Sequence, residues 1–156
     1  MIDHIWTVLC SRAVIDTETN NVSLQNVIER IDIEAEPKKT NGILAMQLEL
    51  MSFWGRSEAD VPSFGYGRID LVYPTGAITK SHDYKIDLSE FERTRYRLRI
   101  RGLHLKNISG RYVFRVNLRN DGENEWHQVA AVPLTITFTS PETGQSENES
   151  IAEQIV

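Results

Sequence analysis

The chain has 156 residues, a net charge of −5 at pH 7 and a single cysteine, Cys10. This length is typical of one domain with its own core, and a lone cysteine excludes an internal disulfide. The acidic balance argues against bulk attraction to DNA or to an anionic membrane. The start MIDHIWTVLC has neither a basic leader nor a long apolar run, so we expect a cytoplasmic, reducing compartment.

Apolar residues alternate with period two along most of the chain, and no window keeps a helical period for long. This pattern predicts an all-β fold. The predicted strands span about residues 5–15, 22–35, 43–54, 64–73, 77–88, 95–105, 111–119 and 125–139. Eight short strands separated by turn-type clusters such as YPTG and NDGEN are typical of a sandwich or a barrel.

The alternation also predicts which side chains face the core. In one strand these are Leu44, Met46, Leu48, Leu50 and Trp54, with Gln47 and Glu49 opposite; in the last strand they are Trp126, Val132, Leu134, Ile136 and Phe138. Pro133 cannot donate to a strand ladder, so it predicts an edge or a bulge at its position.

The end of the chain differs from the rest in composition. Residues 140–156 carry four glutamates and no basic residue, which predicts a flexible acidic tail with, at most, a helical turn near Ile151. The sequence therefore predicts one β-sandwich domain, 1–139, followed by this tail.

One run, YRLRIRGLHLKNISGRYVFRV, resembles the passage between the E and F strands of an immunoglobulin-like domain. The matching residues are Leu98, Ile100, Leu103, Asn107, Gly110, Tyr112, Phe114 and Val116. The resemblance implies an immunoglobulin-like antiparallel sandwich in which the chain crosses between sheets and the Tyr112 hydroxyl ties back to the corner backbone. Phe114 stands where that family has its disulfide cysteine, which suits a reducing compartment.

Most of residues 5–138 also resembles a group of small bacterial β-proteins without a known activity. The shared features are an opening strand like TVLCSRAVID, a second like NNVSLQNVIERI, a Gly-x-Tyr-x-Phe strand and a strand with Val-Pro-Leu. This resemblance implies a fold and no function.

The run RTRYRLRIR places arginines at alternate positions. We call Arg95, Arg97, Arg99 and Arg101 the arginine stripe. In a plain hairpin with strand 111–119 they would join Arg111, Arg115 and Arg119 in one platform for phosphates or an acidic partner. If the chain crosses between sheets, the two sets separate, and acidic residues of strands 22–35 and 77–88 would flank and balance the stripe.

No cofactor or metal is predicted. The four histidines lack the spacing of a metal site, GYG at 65–67 lacks the helix start of a phosphate loop, and no carboxylate pair has an apolar setting for acid-base work. Cys10 alternates with Trp6 and Val8, which predicts a small core residue. We therefore expect no enzymatic activity.

The leading functional hypothesis is a protein-interaction module, with a second copy of the chain as one candidate partner. Loop 55–63 would bring Trp54, Phe64 and Tyr66 to a surface turn, unless these aromatics close the end of the core. The first alternative is an anion or nucleic-acid binder that uses the stripe with Arg115 and Arg119. The second is a carbohydrate-binding sandwich, which needs Trp6, Trp54 or Trp126 exposed as a flat platform.

Overall fold

The computed structural model describes residues 1–34, 43–44, 46–105 and 108–139. These residues form eleven strands and no helix, so the all-β prediction is confirmed. The strands are β1 (Ile2–Ile15), β2 (Val22–Val27), β3 (Arg30–Glu34), β4 (Ile43–Leu44), β5 (Leu48–Arg56), β6 (Ser63–Val72), β7 (Ile78–Leu88), β8 (Arg93–Ile100), β9 (Leu103–His104), β10 (Gly110–Asn120) and β11 (His127–Thr139). The described residues therefore include no helix that could span a membrane.

The long strands form two sheets. Sheet 1 has the order β2-β1-β5-β8, and all its neighbours are antiparallel. Sheet 2 has the order β3-β11-β10-β6-β7. Its β3 runs parallel to β11, whereas its other neighbours are antiparallel. The prediction of purely antiparallel pairing is wrong at this edge, because β3 reaches sheet 2 by a crossing and not through a hairpin.

Three of the eight predicted strands are divided in the structure, which accounts for the larger number observed. The span 22–35 breaks at Ile28 and Glu29, where its pairing partner changes from β1 to β11. The Ile28 amide still donates to the Leu9 carbonyl of β1 at 2.9 Å, whereas the Glu29 carbonyl accepts from the Thr135 amide of β11 at 3.0 Å. The spans 43–54 and 95–105 each include one extra short strand, β4 at the start of the first and β9 near the end of the second, and these two strands pair outside both sheets. The alternation of apolar residues alone does not reveal such a change of pairing partner.

Both sheets contribute to one core, so they pack face to face. Its fully buried members include Leu9, Leu48, Leu50 and Trp54 from sheet 1 and Ile86, Val116, Leu134 and Ile136 from sheet 2. Burying one large aliphatic or aromatic side chain stabilises the fold by about 1.5–3 kcal/mol. The predicted core faces of the third and last strands are thus confirmed at most of their positions that the structure describes.

Trp126 is the exception, because it lies half-buried outside the core and just before β11. The register of β10 against β11 shifts between Val116 and Asn117. This β-bulge adds one residue to β11 and reverses the alternation beyond it. Pro133 fits its prediction of an edge, because β3 pairs with β11 only from Thr135 onwards.

The passage from sheet 1 to sheet 2 runs from β8 to β10. The hydroxyl of the fully buried Tyr112 donates to the Ile108 carbonyl at 2.7 Å, so the predicted tie to the corner backbone is confirmed. Burial raises the pKa of this hydroxyl, which stays a donor at neutral pH. The predictions for the tail concern residues 140–156, which lie outside the described residues.

Candidate functional site

The arginine stripe lies on the outer face of sheet 1, and the structure divides it. Arg95 Nη2 donates to the carbonyl and the side-chain oxygen of Asn20, both at 2.7 Å. Arg97 Nη2 donates to the Ala13 carbonyl at 3.2 Å. Because Ala13 belongs to β1 and Asn20 to the turn before β2, these two arginines tie the β1–β2 hairpin to β8 of the same sheet.

Glu49 neutralises the middle of the stripe. Its side chain is only 4% exposed, and its carboxylate lies 3.8 Å from Arg97 Nε and 3.4 Å from Arg99 Nε. The same carboxylate accepts a hydrogen bond from the Ala13 amide at 2.7 Å. A buried carboxylate needs such partners, because removing it from water without them is costly.

The predicted acidic neighbours of the stripe are therefore wrong, although its charge is partly balanced. Strand β8 pairs with β5, while β3 and β7 belong to sheet 2. The balancing acid comes from the adjacent strand β5, at a position that alternation had placed on the outer face. Cys10 and Met51 are buried beside Glu49 under the same hairpin, so the prediction that Cys10 is a small core residue is confirmed. Burial also raises the pKa of the Cys10 thiol.

The second arginine set lies on sheet 2, so the chain does split the two sets by crossing between sheets. Arg115 contacts Asp70 at 3.3 Å. Arg119 lies over the rings of Tyr66 at 4.9 Å and Trp126 at 5.0 Å. Arg68, which the sequence did not single out, lies 4.4 Å over the Trp126 ring. These arginines are held by aromatic and acidic neighbours, and no common platform with the stripe exists.

The three aromatic candidates do not share a surface. Trp54 is fully buried and packs in the core, so as an exposed anchor it is a wrong prediction. Phe64 and Tyr66 are half-buried and meet edge to face at 5.5 Å on sheet 2. The loop before them is fixed by Arg56, whose guanidinium donates to the carbonyls of Leu88, Ala59 and Ser89 at 2.7–3.0 Å.

The histidines occupy separate positions. His4 bonds Thr7 at 2.7 Å and meets the Trp54 ring edge-on, and burial lowers its pKa. His127 lies 3.7 Å from Glu123. Among the residues that the structure describes, no group of three or more His, Cys, Asp or Glu side chains could hold a metal ion.

A cleft opens between the edges of the two sheets, where β7 ends sheet 2 and β8 ends sheet 1. Its volume is about 570 Å³, within the range of ligand pockets in proteins. The apolar side chains that line its inner part include Ile69, Leu71, Leu98, Ile100, Leu103 and Phe114. All of these except Leu103, which belongs to β9, come from the two sheets. Because Ile69, Leu71, Leu103 and Phe114 are also members of the core, the cleft reaches the core directly.

The rim of this cleft is basic. Lys80, His82, Arg99, Arg101 and His104 line it, and none of the described lining residues is Asp or Glu. Within the described part of the chain, Lys80 and Arg101 take part in no ion pair. In an acidic protein, this rim is a local concentration of positive charge.

One end of the cleft is closed by aromatic side chains that bridge the sheets. The His82 ring bonds the Tyr96 hydroxyl, and the Tyr96 ring stacks on Tyr84 with centroids 3.6 Å apart. Burial raises the pKa of both tyrosines, so both hydroxyls stay protonated. The cleft therefore begins beside Tyr96 and extends toward Arg101.

Sequence reasoning missed the cleft, because its lining comes from four separate segments and depends on which strands end each sheet. One signal was present: strand 77–88 carries Lys80 and His82 on the same face as its core residues Tyr84 and Ile86. Polar groups at inward positions indicate that the sandwich is open at that end.

Comparison with known proteins assigns no family. No family model and no curated protein matches the chain. A family 123 glycoside hydrolase from Clostridium perfringens, from a study of glycolipid glycan hydrolysis, is similar in structure, with 6% identity and a TM-score of 0.42. The likeness covers 90% of this chain and 28% of that one, so the chain spans well under half of that enzyme. At this level the likeness carries no argument about fold or activity.

Proposed function

We propose that this protein is a non-enzymatic protein-interaction module of the immunoglobulin-like sandwich type, and that the cleft between β7 and β8 receives the partner. The observation that carries the proposal is the combination found there: a partly apolar cleft of about 570 Å³ with a basic rim to which no described Asp or Glu contributes. Interfaces of this kind pair an apolar centre with a polar margin.

The immunoglobulin-like part of the proposal is supported by strand order. In that fold, strands A, B and E are neighbours in one sheet, and C, F and G are neighbours in the other. Here β1, β5 and β8 follow one another in sheet 1, and β6, β10 and β11 in sheet 2. The Tyr112 corner is a further likeness. Strand β2, at the far edge of sheet 1, has no counterpart in this scheme.

The alternatives have less support. Arg95, Arg97, Arg115 and Arg119 already have intramolecular partners, so a phosphate backbone would have to displace them. A sugar platform lacks Trp54, which is buried. Trp6 packs against Phe53 at 5.4 Å, and two arginines lie over the Trp126 ring.

A reducing cytoplasmic compartment remains part of the proposal, supported by the lone, buried Cys10.

Capture from cells that express the protein tests the proposal. Lys80→Glu reverses a rim charge on β7, and Lys85→Glu makes the same change on the same strand outside the cleft. Both side chains are exposed, so both variants should keep the stability of the parent chain. We expect Lys80→Glu to lose the partner that the parent chain and Lys85→Glu retain. Equal capture by both variants would contradict the assignment of the site.

A further inference from the structure

The free edge of β8 is suited to accept another strand. Within the described part of the chain β8 pairs with β5 on one side, and it ends sheet 1 on the other. Backbone N–H and C=O groups at such an edge are a template for strand addition. Proteins often block an edge with inward-pointing charges, yet the inward residues of β8 are Thr94, Tyr96, Leu98 and Ile100. The facing edge of β7, by contrast, carries Lys80 and His82.

The two faces of an added strand would meet different surroundings, because side chains alternate along a strand. Its inward side chains would enter the cleft beside Leu98 and Ile100 of β8 and Phe114 of β10. Its outward side chains would lie next to Arg99 and Arg101. The cleft thus selects apolar residues on one face, and the neighbouring guanidinium groups select acids on the other.

The aromatic closure limits the length of the contact. The Tyr84–Tyr96 stack bridges the sheets, so an added strand has room only on the Leu98–Arg101 side of Tyr96. At the usual rise per residue this corresponds to roughly four to six residues of an extended segment.

We propose that the partner inserts an extended segment in which apolar residues alternate with Asp or Glu, and that this segment adds as a strand to the edge of β8. The inference rests on the proposed function and names the partner's chemistry. Strand addition derives affinity from the backbone and specificity from alternate side chains, which this edge and this cleft provide. A second copy that paired through its own β8 would set arginines beside arginines, and like charges directly opposite are destabilising.

Labelled peptides of about seven residues, titrated against the full chain by fluorescence anisotropy, test the inference. The first alternates glutamate with valine, the second has the same composition in two blocks, and the third has lysine in place of glutamate. We expect the alternating acidic peptide to bind at least about tenfold more tightly than the other two, since each 1.4 kcal/mol of lost contact corresponds to a factor of ten. Equal binding of the first two would overturn the inference.

N-methylation of the peptide distinguishes strand addition from binding through side chains alone. Alternate N–H groups of a strand point to the same side. Methyl groups on one alternate set should therefore abolish binding, and methyl groups on the other set should be tolerated. If neither set or both sets mattered, the peptide would not be an added strand.

Protein variants and competitors complete the test. Lys80→Glu with Arg101→Glu should weaken peptide binding by about tenfold or more, while Lys85→Glu with Arg93→Glu, which lie outside the cleft, should leave it within about twofold.

If decanoate saturates the cleft and the peptide does not bind, the occupant is a small amphiphile and the inference is overturned. It is also overturned if the peptide binds only after removal of 140–156, because the tail is then the occupant.

The two proposals fail separately. If the peptides do not bind but partner capture still depends on Lys80, the interaction module stands and the strand-addition inference falls. If capture is also indifferent to Lys80, both fall.

Discussion

Two basic regions of the molecule lie along β8, and they differ in what surrounds their charges. At Arg95 and Arg97 the guanidinium groups bind the hairpin backbone and the buried Glu49. At the cleft, Lys80 and Arg101 take part in no ion pair within the described residues and stand beside an apolar opening. The comparison teaches that arginines in one row can have structural partners within the fold, so the row alone does not indicate a binding surface.

The largest loss of stability is expected for Trp54, which the sequence offered as a surface anchor and which the structure places in the core. Trp54→Ala removes a fully buried side chain and should lower the free energy of unfolding by about 3–5 kcal/mol. Urea denaturation of the purified chain measures the change. A loss under 1 kcal/mol would mean that Trp54 is not the core residue described above.

Glu49→Ala tests the structural role of the stripe. It leaves the buried Ala13 amide without its acceptor and Arg97 without its carboxylate, so we expect a loss of about 2–4 kcal/mol. Exposure of the hairpin should appear as faster hydrogen exchange in β1 residues near Ala13. Unchanged exchange there would show that the hairpin is held by other contacts.

Arg97→Gln and Arg99→Gln form a matched pair on the same strand. Arg97 is 23% exposed, donates to the Ala13 carbonyl and forms an ion pair with Glu49 at 3.8 Å, whereas Arg99 is 55% exposed and forms only the ion pair with Glu49, at 3.4 Å. We expect a loss of about 1–2 kcal/mol for Arg97→Gln and about 0–1 kcal/mol for Arg99→Gln. Thermal unfolding of both variants measures the difference, and a larger loss for Arg99→Gln would reverse the assignment.

Tyr112→Phe should have a small effect, in the same range as the two arginine substitutions. It removes one hydrogen bond, to the Ile108 carbonyl, at the corner that joins the two sheets, and keeps the buried ring. We expect a loss of about 0.5–1.5 kcal/mol in the free energy of unfolding, with peptide binding at the cleft unchanged. A neutral substitution would show that the carbonyl finds another donor.

Local patterns predicted the parts of the fold that depend on one strand at a time. The alternation placed Leu48, Leu50 and Trp54 in the core correctly, and the Gly-x-Tyr pattern placed the Tyr112 corner. Trp126 was misplaced because a bulge reverses the alternation before it reaches that residue. The pattern carries no sign of the extra residue that causes the bulge.

The site was predicted less well, because it depends on the order of strands in space. The sequence showed that Arg97 and Arg99 share a face, yet it could not show that Glu49 lies beside them under a hairpin. The cleft can be predicted only when it is known that β7 and β8 are the edge strands of the two sheets. Residues as distant in the chain as Ile69 and Phe114 then meet inside it.

Site-specific photo-crosslinking in cells tests the central claim that the partner binds at the cleft and not along the stripe. A photo-reactive residue is introduced in place of Lys80 or Arg101 at the rim, and in place of Lys85 or Arg93 outside it. The account predicts that the two rim positions crosslink a partner and that the two outer positions do not. Crosslinking from Arg93 or Lys85, with none from the rim, would contradict it.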